Sequence, residues 1–534
     1  MPERPLTGLL GRPPEPLPDP TTRVERIGLF LGVTLVAAGM AFVFGTLVST
    51  SAARLAGIHT IEPYALAVHE QLVRNFGLEG TWVQTIHAGY DDAWTWSGHR
   101  ALTLVVSAWL YSLRPSVLWL TELQIAATVL GAIPAALIGR AAVRSSWGLL
   151  LGGGVYLLHP AIMAVSLQDY QDLCFAVPFL TFTLWTMRAG HPAWAVLGAL
   201  VGVMPREECV PLVLACAIVT FPAHGRRRHA WNIGVALLVA GVYAGLAQWL
   251  FPISTVSGQG HDTPLVNAVF TVLHARGPQD LPGLAHIESF YSLIWAPVGL
   301  LALASPFTLL PGAGLLFMHM TVPYNNGIDR YWFGHAHHIA PLLPFVVVAT
   351  IEGTARLLRL RQRLRRRDRP VGAAIGGIAV AGLLAYSAWW VRVWGTSFQL
   401  AWSWIPQDPP YAHPAWVLAR RLPADAIPVV SVRHAIVASG RRVSFTWEES
   451  LHDKGRGKGL GAATHLIAPR ALTDVTGWAL KMEGATIVDE AEGYVTIAWK
   501  PGARDSAGRK RNDKWPDVPD WMPEGYLTTG LPRR

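Results

Sequence analysis

Apolar runs recur from residue 27 to residue 394, and many approach the ~20 residues a helix needs to cross hydrocarbon. They cover roughly 27–48, 116–139, 147–165, 173–187, 191–204, 209–222, 231–251, 288–304, 305–322, 339–357 and 372–394. These predict eleven crossings, or twelve if segment 101–113 also crosses. That segment is short for a span and reads better as a re-entrant or interfacial helix. In the long polar stretch 50–100, Tyr64, Leu66, Val68 and Leu72 recur at helical spacing against Glu70, Gln71 and Arg74. The pattern predicts an amphipathic helix over Ile61–Phe76, lying on the membrane surface. A second long stretch, 252–287, carries Gly, Pro and His and predicts an irregular loop.

After residue 394 the pattern changes. Residues 405–500 offer a helix near 412–422 and then β-like runs at 427–432, 464–469, 485–491 and 494–500, which predict a small α/β domain. Residues 1–26 form a polar tail, and 501–534 a polar, Pro/Gly-rich tail expected to be disordered. The predicted fold class is an all-α polytopic membrane protein with a small C-terminal α/β domain.

Composition supports this. Of 534 residues, 51% are hydrophobic and 15% charged, whereas a soluble chain carries about 25% charged residues. The net charge of +9 comes largely from Arg356–Arg369 and Arg226–Arg228. In a soluble protein such runs would point to nucleic acid. Beside apolar spans they set orientation instead, with basic loops held on the cytoplasmic side. No nucleic-acid partner is expected; the expected surroundings are membrane lipids. Arg4, Arg12, Arg23, Arg26, Arg140, Arg144 and Arg188 agree on one side when 101–113 does not cross. The N-terminus is then cytoplasmic and, after eleven crossings of the inner (plasma) membrane, the C-terminal domain extracytoplasmic. The first span lacks a convincing cleavage site and reads as uncleaved. Cys174, Cys209 and Cys216 fit neither a disulfide framework nor metal spacing and read as small buried residues.

This orientation gathers four polar stretches on the outer side: His87–His99, Gln168–Asp172, Arg206–Glu208 and Asp329–His338. Asp91 and Asp92, flanked by Tyr90, Trp94 and Trp96, suit a base for a sugar hydroxyl or a divalent-ion ligand, or else a solvated acidic turn. Asp169 and Asp172, one helical turn apart, could face one cavity or serve the next helix dipole. Arg206 could clamp a phosphate while Glu207 orients it; the other reading is a charged turn in mutual ion pairs. Arg330 and His337, with Asp329, Tyr331, His335 and His338, could neutralise a phosphate or move a proton, or simply decorate the interface. The metal is open and no cofactor is certain; a divalent cation is the one these acids would take.

The same residues resemble a known family, the bacterial polytopic proteins catalogued as domain of unknown function 2079, related to the GT-C class of membrane glycosyltransferases. Tyr64–Gln71 resembles the family's Tyr-Asp…Asp-Gln stretch, with Glu70 and Gln71 on its second half and Ala65 in place of the first acid. His99 matches a family histidine. Leu158–Asp172 resembles a Tyr-Pro…Phe-Asp-Phe-His segment, with Asp169 on the aspartate. Arg206–Glu208 falls on a Lys-Glu-Asp stretch, and His337 with Ile339–Phe345 on a His-Tyr…Pro-Leu-Leu-Pro-Phe stretch. The resemblance implies a GT-C-like fold, an outward-facing site and a polyprenyl-phosphate sugar donor. A first-loop acid would be catalytic; with Ala65 at one position, that role passes to Asp91, Asp92 or Glu70. Asp169, Arg206, Glu207, Arg330, His337 and His99 would contact substrate. Two rival readings are a transporter or flippase of lipid-linked sugars and a non-catalytic membrane scaffold.

Overall fold

The computed structural model of the protein describes residues 22–58, 63–82, 85–86, 101–220, 226–250, 299–312, 339–365, 413–431, 434–441, 444–446 and 463–500. It opens with α1, Arg23–Ala56, whose Thr22 side chain accepts from the Glu25 amide and so satisfies a first-turn donor. At ~1.5 Å per residue the 34 residues of α1 span about 51 Å, well beyond the ~30 Å of hydrocarbon. Its middle presents Phe30, Val33, Leu35 and Phe42 outward, as a lipid-facing helix should. Its final turns bury Thr50, Ser51, Ala53, Arg54 and Leu55 in protein.

Helix α2 (Pro63–Glu79) and the short α3 (Leu102–Leu113) follow. Next come α4 (Val117–Leu130) and α5 (Ala132–Val143), then α6 (Gly148–Leu157) and α7 (Pro160–Leu167). The 3-10 turn Asp172–Phe175 leads into α8 (Ala176–Ala189), and α9 (Pro192–Val203), α10 (Cys209–Val219) and α11 (Arg226–Leu250) succeed it. A second 3-10 turn, Gly299–Ala304, precedes α12, Leu343–Arg365. Among the described residues three stretches are long and apolar enough to cross a membrane: α1, Val117–Val143 and Arg226–Ala247. Gly148–Leu157 and Ala161–Leu167 form a further apolar pair bent by 52°. The segment expected to be too short for a span is indeed the twelve-residue α3. The runs at 288–304, 305–322 and 372–394 lie wholly or partly outside the described residues.

Small residues set a very close helix contact between α5 and α6. A Cβ on Gly152 of α6 would sit 2.1 Å from the Ala135 carbonyl oxygen of α5, and one on Gly139 of α5 would sit 2.2 Å from the Gly148 oxygen. The backbones of α5 and α6 therefore touch directly. In lipid, where apolar burial gives helices no preference for each other over tails, such approach is a main source of association. All three cysteines are buried and unbridged, as the sequence predicts.

The C-terminal elements are α13 (Pro414–Arg421), β1 (Pro428–Val430), α14 (Ile436–Ser439), β2 (Phe445–Thr446), β3 (His465–Pro469), α15 (Thr473–Leu480), β4 (Thr486–Ala491) and β5 (Tyr494–Ala498). They form one mixed sheet in the order β2-β1-β3-β5-β4. β1 runs parallel to β2 and β3, while β5 lies antiparallel between β3 and β4. The β4–β5 hairpin turns on Glu492 and Gly493, both at positive φ (41° and 81°), the backbone that a two-residue hairpin demands. The predicted helix near 412–422 and all four predicted strands are present. The pattern does not predict β2, α14 or α15: a two-residue strand and a four-residue helix carry too few periods, and α15 mixes Thr, Gly and Trp without a clear apolar stripe.

One expectation is corrected. Helix α2 does not lie on the membrane surface. Leu66, Ala67, Leu72 and Val73 are fully buried, and so, on the polar side, are Glu70, Gln71 and Asn75. The apolar side packs with Leu104, Ala108 and Tyr111 of α3, in a cluster that continues through Ala415, Leu418, Ile436 and Val437 of the C-terminal domain. The polar side is covered by protein as well.

Candidate functional site

The helix ends sort into two groups. At one end, Glu25 accepts from the Ser145 hydroxyl (2.6 Å) and the Ser146 amide (2.7 Å), and Arg359 donates to the Ala142 carbonyl (3.0 Å). Arg228 crowds Gly190, and Arg188 meets Glu352 at 3.0 Å. Arg188, Arg228 and Arg359 collect here. The opposite end holds Arg54, Asp169, Asp172 and Arg206, with α3 packed among them.

Two buried ion pairs define that second end. Arg206, in the turn between α9 and α10, spans both oxygens of Asp172 with Nη2 (2.6 Å) and Nε (3.3 Å), a bidentate fork. The two side chains are only 5% and 0% exposed. Arg54, near the end of α1, donates to the Leu167 carbonyl (2.6 Å) and lies 3.7 Å from Asp169. Helices α9 and α10 have 12 and 11 residues, about 18 Å and 16 Å at ~1.5 Å per residue. They are too short to carry their connecting turn across ~30 Å of hydrocarbon. The Asp172–Arg206 pair sits at the turn between these two short apolar helices, and ionisable groups set among apolar helices are functional candidates.

The surrounding frame is built from side chains. Gln124, inside α4, donates to the carbonyls of Val165 (3.3 Å) and Gln168 (2.9 Å) and accepts from the Gln171 amide (2.8 Å), so one amide pins the whole Gln168–Gln171 turn. Tyr170 donates to the Ser107 hydroxyl of α3 (2.7 Å), and its ring meets His69 of α2 edge-on. The first turn of α3 closes over the Arg206 turn through the Thr103 amide and the Met204 carbonyl (3.1 Å).

Above this, the C-terminal domain is seated on α2. The Tyr111 hydroxyl of α3 donates to Glu70 Oε1 (2.9 Å), and the Ser439 hydroxyl of α14 contacts Glu70 Oε2. Gln71 reaches the Arg441 carbonyl and the Ser444 and Thr85 hydroxyls, and accepts from the Thr85 amide (2.7 Å). Arg74 donates to the Gly440 carbonyl (3.0 Å). The end of α1 joins the seat: the His413 amide donates to the Ala56 carbonyl and Trp416 Nε1 to the Leu55 carbonyl. Burial pushes the Glu70 carboxyl up to about 7, outweighing the opposite pull of hydrogen bonds from Ser439 and Tyr111.

Of the sequence-derived candidates, Glu70, Asp169, Arg206 and Glu207 are described, while Asp91, Asp92, His99, Arg330 and His337 lie outside the described residues. Asp169 lies beside Arg54 and Asp172 is forked by Arg206. The turn between α7 and α8 is not helical, so the one-turn spacing does not apply, and each aspartate finds its own partner. Glu70 and Asp172 accept from fixed donors, and Asp169 lies 3.7 Å from Arg54. Among the described residues no group of three His, Cys, Asp or Glu side chains could hold a metal ion. Arg54 is a site residue that pattern reading passed over. Its signal was an arginine closing an otherwise apolar run. Ser439 and Gln124 carried no signal, since their importance comes only from distant partners.

Comparison with known proteins gives two findings. The family model described as predicted membrane protein (DUF2079) matches residues 63–414. Among solved structures, the chain is similar to the Archaeoglobus fulgidus oligosaccharyltransferase tethered with an acceptor peptide containing the NVT sequon, at 11% identity and a TM-score of 0.40, covering 87% of this chain and 74% of that one. No curated protein matches the chain.

Proposed function

The chain belongs to the family of predicted membrane proteins DUF2079, and from that premise we propose that it is a GT-C-like inverting glycosyltransferase of the plasma membrane, moving a sugar from a polyprenyl-phosphate donor to an acceptor at the outer face. The carrying observation is the buried Asp172–Arg206 pair beneath α3, with Arg54–Asp169 beside it and the C-terminal domain seated over the same end. Fixed charge there suits a headgroup that must stay at its lipid. The clustering of Arg140, Arg144, Arg188 and Arg226–Arg228 at the other end supports the outer assignment.

In this reading the acceptor oxygen forms a bond to the anomeric carbon as the carbon–oxygen bond to phosphate breaks. The acceptor proton passes to Asp91 or Asp92, and the electron pair leaves with the polyprenyl phosphate. Glu70 and Asp172 already accept from fixed donors and Asp169 lies beside Arg54, so in this reading the first-loop aspartates serve as the base. Arg330 and His337 would meet the departing phosphate, and Arg206 would add positive charge where negative charge develops. His99, Asp169 and Glu207 would orient the sugar or a divalent cation.

The test is transfer of labelled sugar from polyprenyl-phosphate donors by purified protein. Asp91→Asn or Asp92→Asn should lower turnover at least ~100-fold, the scale of lost general-base catalysis. Transfer that survives both substitutions would remove the base assignment, and donor translocation in liposomes without transfer would make the protein a flippase. Orientation has its own check. Cysteines replacing Asp92, Asp262 or His335 should react with an impermeant reagent from outside, and cysteines replacing Arg227 or Arg365 should not; the reverse pattern would invert the topology.

A further inference from the structure

We propose that Glu70 is a proton-linked latch: it is a neutral carboxylic acid while the C-terminal domain is seated on α2, so that seating takes up one proton from the outer solution. The inference concerns the seam between α2 and the domain and does not depend on the glycosyl-transfer reading.

Hydrogen counting at the seam carries it. Tyr111 supplies a hydrogen to Oε1. At Oε2 lies the Ser439 hydroxyl, whose oxygen is also 2.8 Å from the Ile436 carbonyl, a group that can only accept. A serine hydroxyl has one hydrogen to give. If it goes to Ile436, the close Glu70–Ser439 contact needs a hydrogen on the carboxyl; if it goes to Glu70, the Ile436 contact has none. A protonated Glu70 satisfies both.

Among the described residues no cation forms an ion pair with the carboxyl; Arg74 is the one that attracts it. On α2, Arg74 is directed to the Gly440 carbonyl, Asn75 and Glu79, and His69 lies against the Tyr170 ring. On α3, Arg114 pairs with Glu122. On the domain, Arg441 is spread over carbonyls between Ala419 and Ala424, and His434 sits between Ser431 and Tyr494. Thr85, facing from the first loop, has no titratable group. A buried carboxyl so placed favours its neutral form, in line with its rise from 4.5 to about 7.

The sign follows from linkage. The seated state holds a proton that the unseated state releases between pH 4.5 and about 7. Seating is at full strength below that window, weakens by up to about tenfold per pH unit through it, and levels off above it.

Hydrogen exchange of the full-length protein in nanodiscs, corrected for intrinsic rates and run from pH 5 to 8, reads this directly. Protection of amides 436–441 and 444–446 should fall about a hundredfold across the window in the wild type. In Glu70→Gln, whose amide imitates the neutral acid, it should stay high and flat. Tyr111→Phe removes a donor that favours the carboxylate and should move the step to higher pH. A flat wild-type profile, a step that persists in Glu70→Gln, or an unmoved step in Tyr111→Phe would each overturn the latch. If Glu70→Gln does not fold, the wild-type and Tyr111→Phe profiles decide it by the same criteria.

Discussion

Asp172→Ala should destabilise the folded protein by about 3–5 kcal/mol, the usual result of stranding one member of a buried ion pair. Asp172 is fully buried and Arg206 nearly so, and the fork between them uses both carboxylate oxygens. Without Asp172 the guanidinium keeps only the weaker field of Glu208 and Glu207. Asp172→Asn should recover little, since an amide offers one acceptor and no charge. The double variant Asp172→Leu with Arg206→Met should regain most of the loss, because desolvation of a buried pair offsets much of its attraction. Thermal unfolding in detergent measures the cycle. A double variant as unstable as the sum of the two singles would show that the residues act independently and that the pair is not the unit described.

The second large effect belongs to the α5–α6 contact. Gly152→Ala should cost about 1–3 kcal/mol through overpacking, and Gly152→Val more. A Cβ there meets backbone, namely the oxygen of Ala135 at 2.1 Å, its carbonyl carbon at 2.7 Å and the Ala136 Cα at 2.8 Å. No rotamer change relieves a clash with backbone, so the helices must separate. Gly154, two residues on, provides the control, for nothing lies within 4 Å of its Cβ position. Gly154→Ala should be neutral or stabilise by ~0.5–1 kcal/mol, since alanine favours helix. Equal melting temperatures for Gly152→Ala and Gly154→Ala would rule out the backbone contact as a determinant of packing.

Much of this architecture could be read from apolar runs, because a membrane helix is written locally: its length, its flanking arginines and its small residues are consecutive in the chain. The shortness of α3 and the burial of the three cysteines were legible for that reason. Helix α2 was legible as amphipathic but not as to what covers it. Its polar side matches a domain more than 360 positions away, and periodicity cannot distinguish a protein cover from water. The Arg–Asp pairs were legible as charges in costly places; their pairing was not, since it depends on how a non-helical turn aims two aspartates toward different helices. Glu70 shows the same divide. Its acid was visible, but its partners Tyr111 and Ser439 come from elements whose proximity only the fold decides.

The seat of the C-terminal domain also sets an order of assembly. Glu70 and Gln71 contact residues 369 and 373 positions later, so a ribosome has delivered nearly the whole chain before those side chains can be enclosed. Until then the polar stripe of α2 lacks its partners from the domain, so this seat is among the last contacts the fold can close.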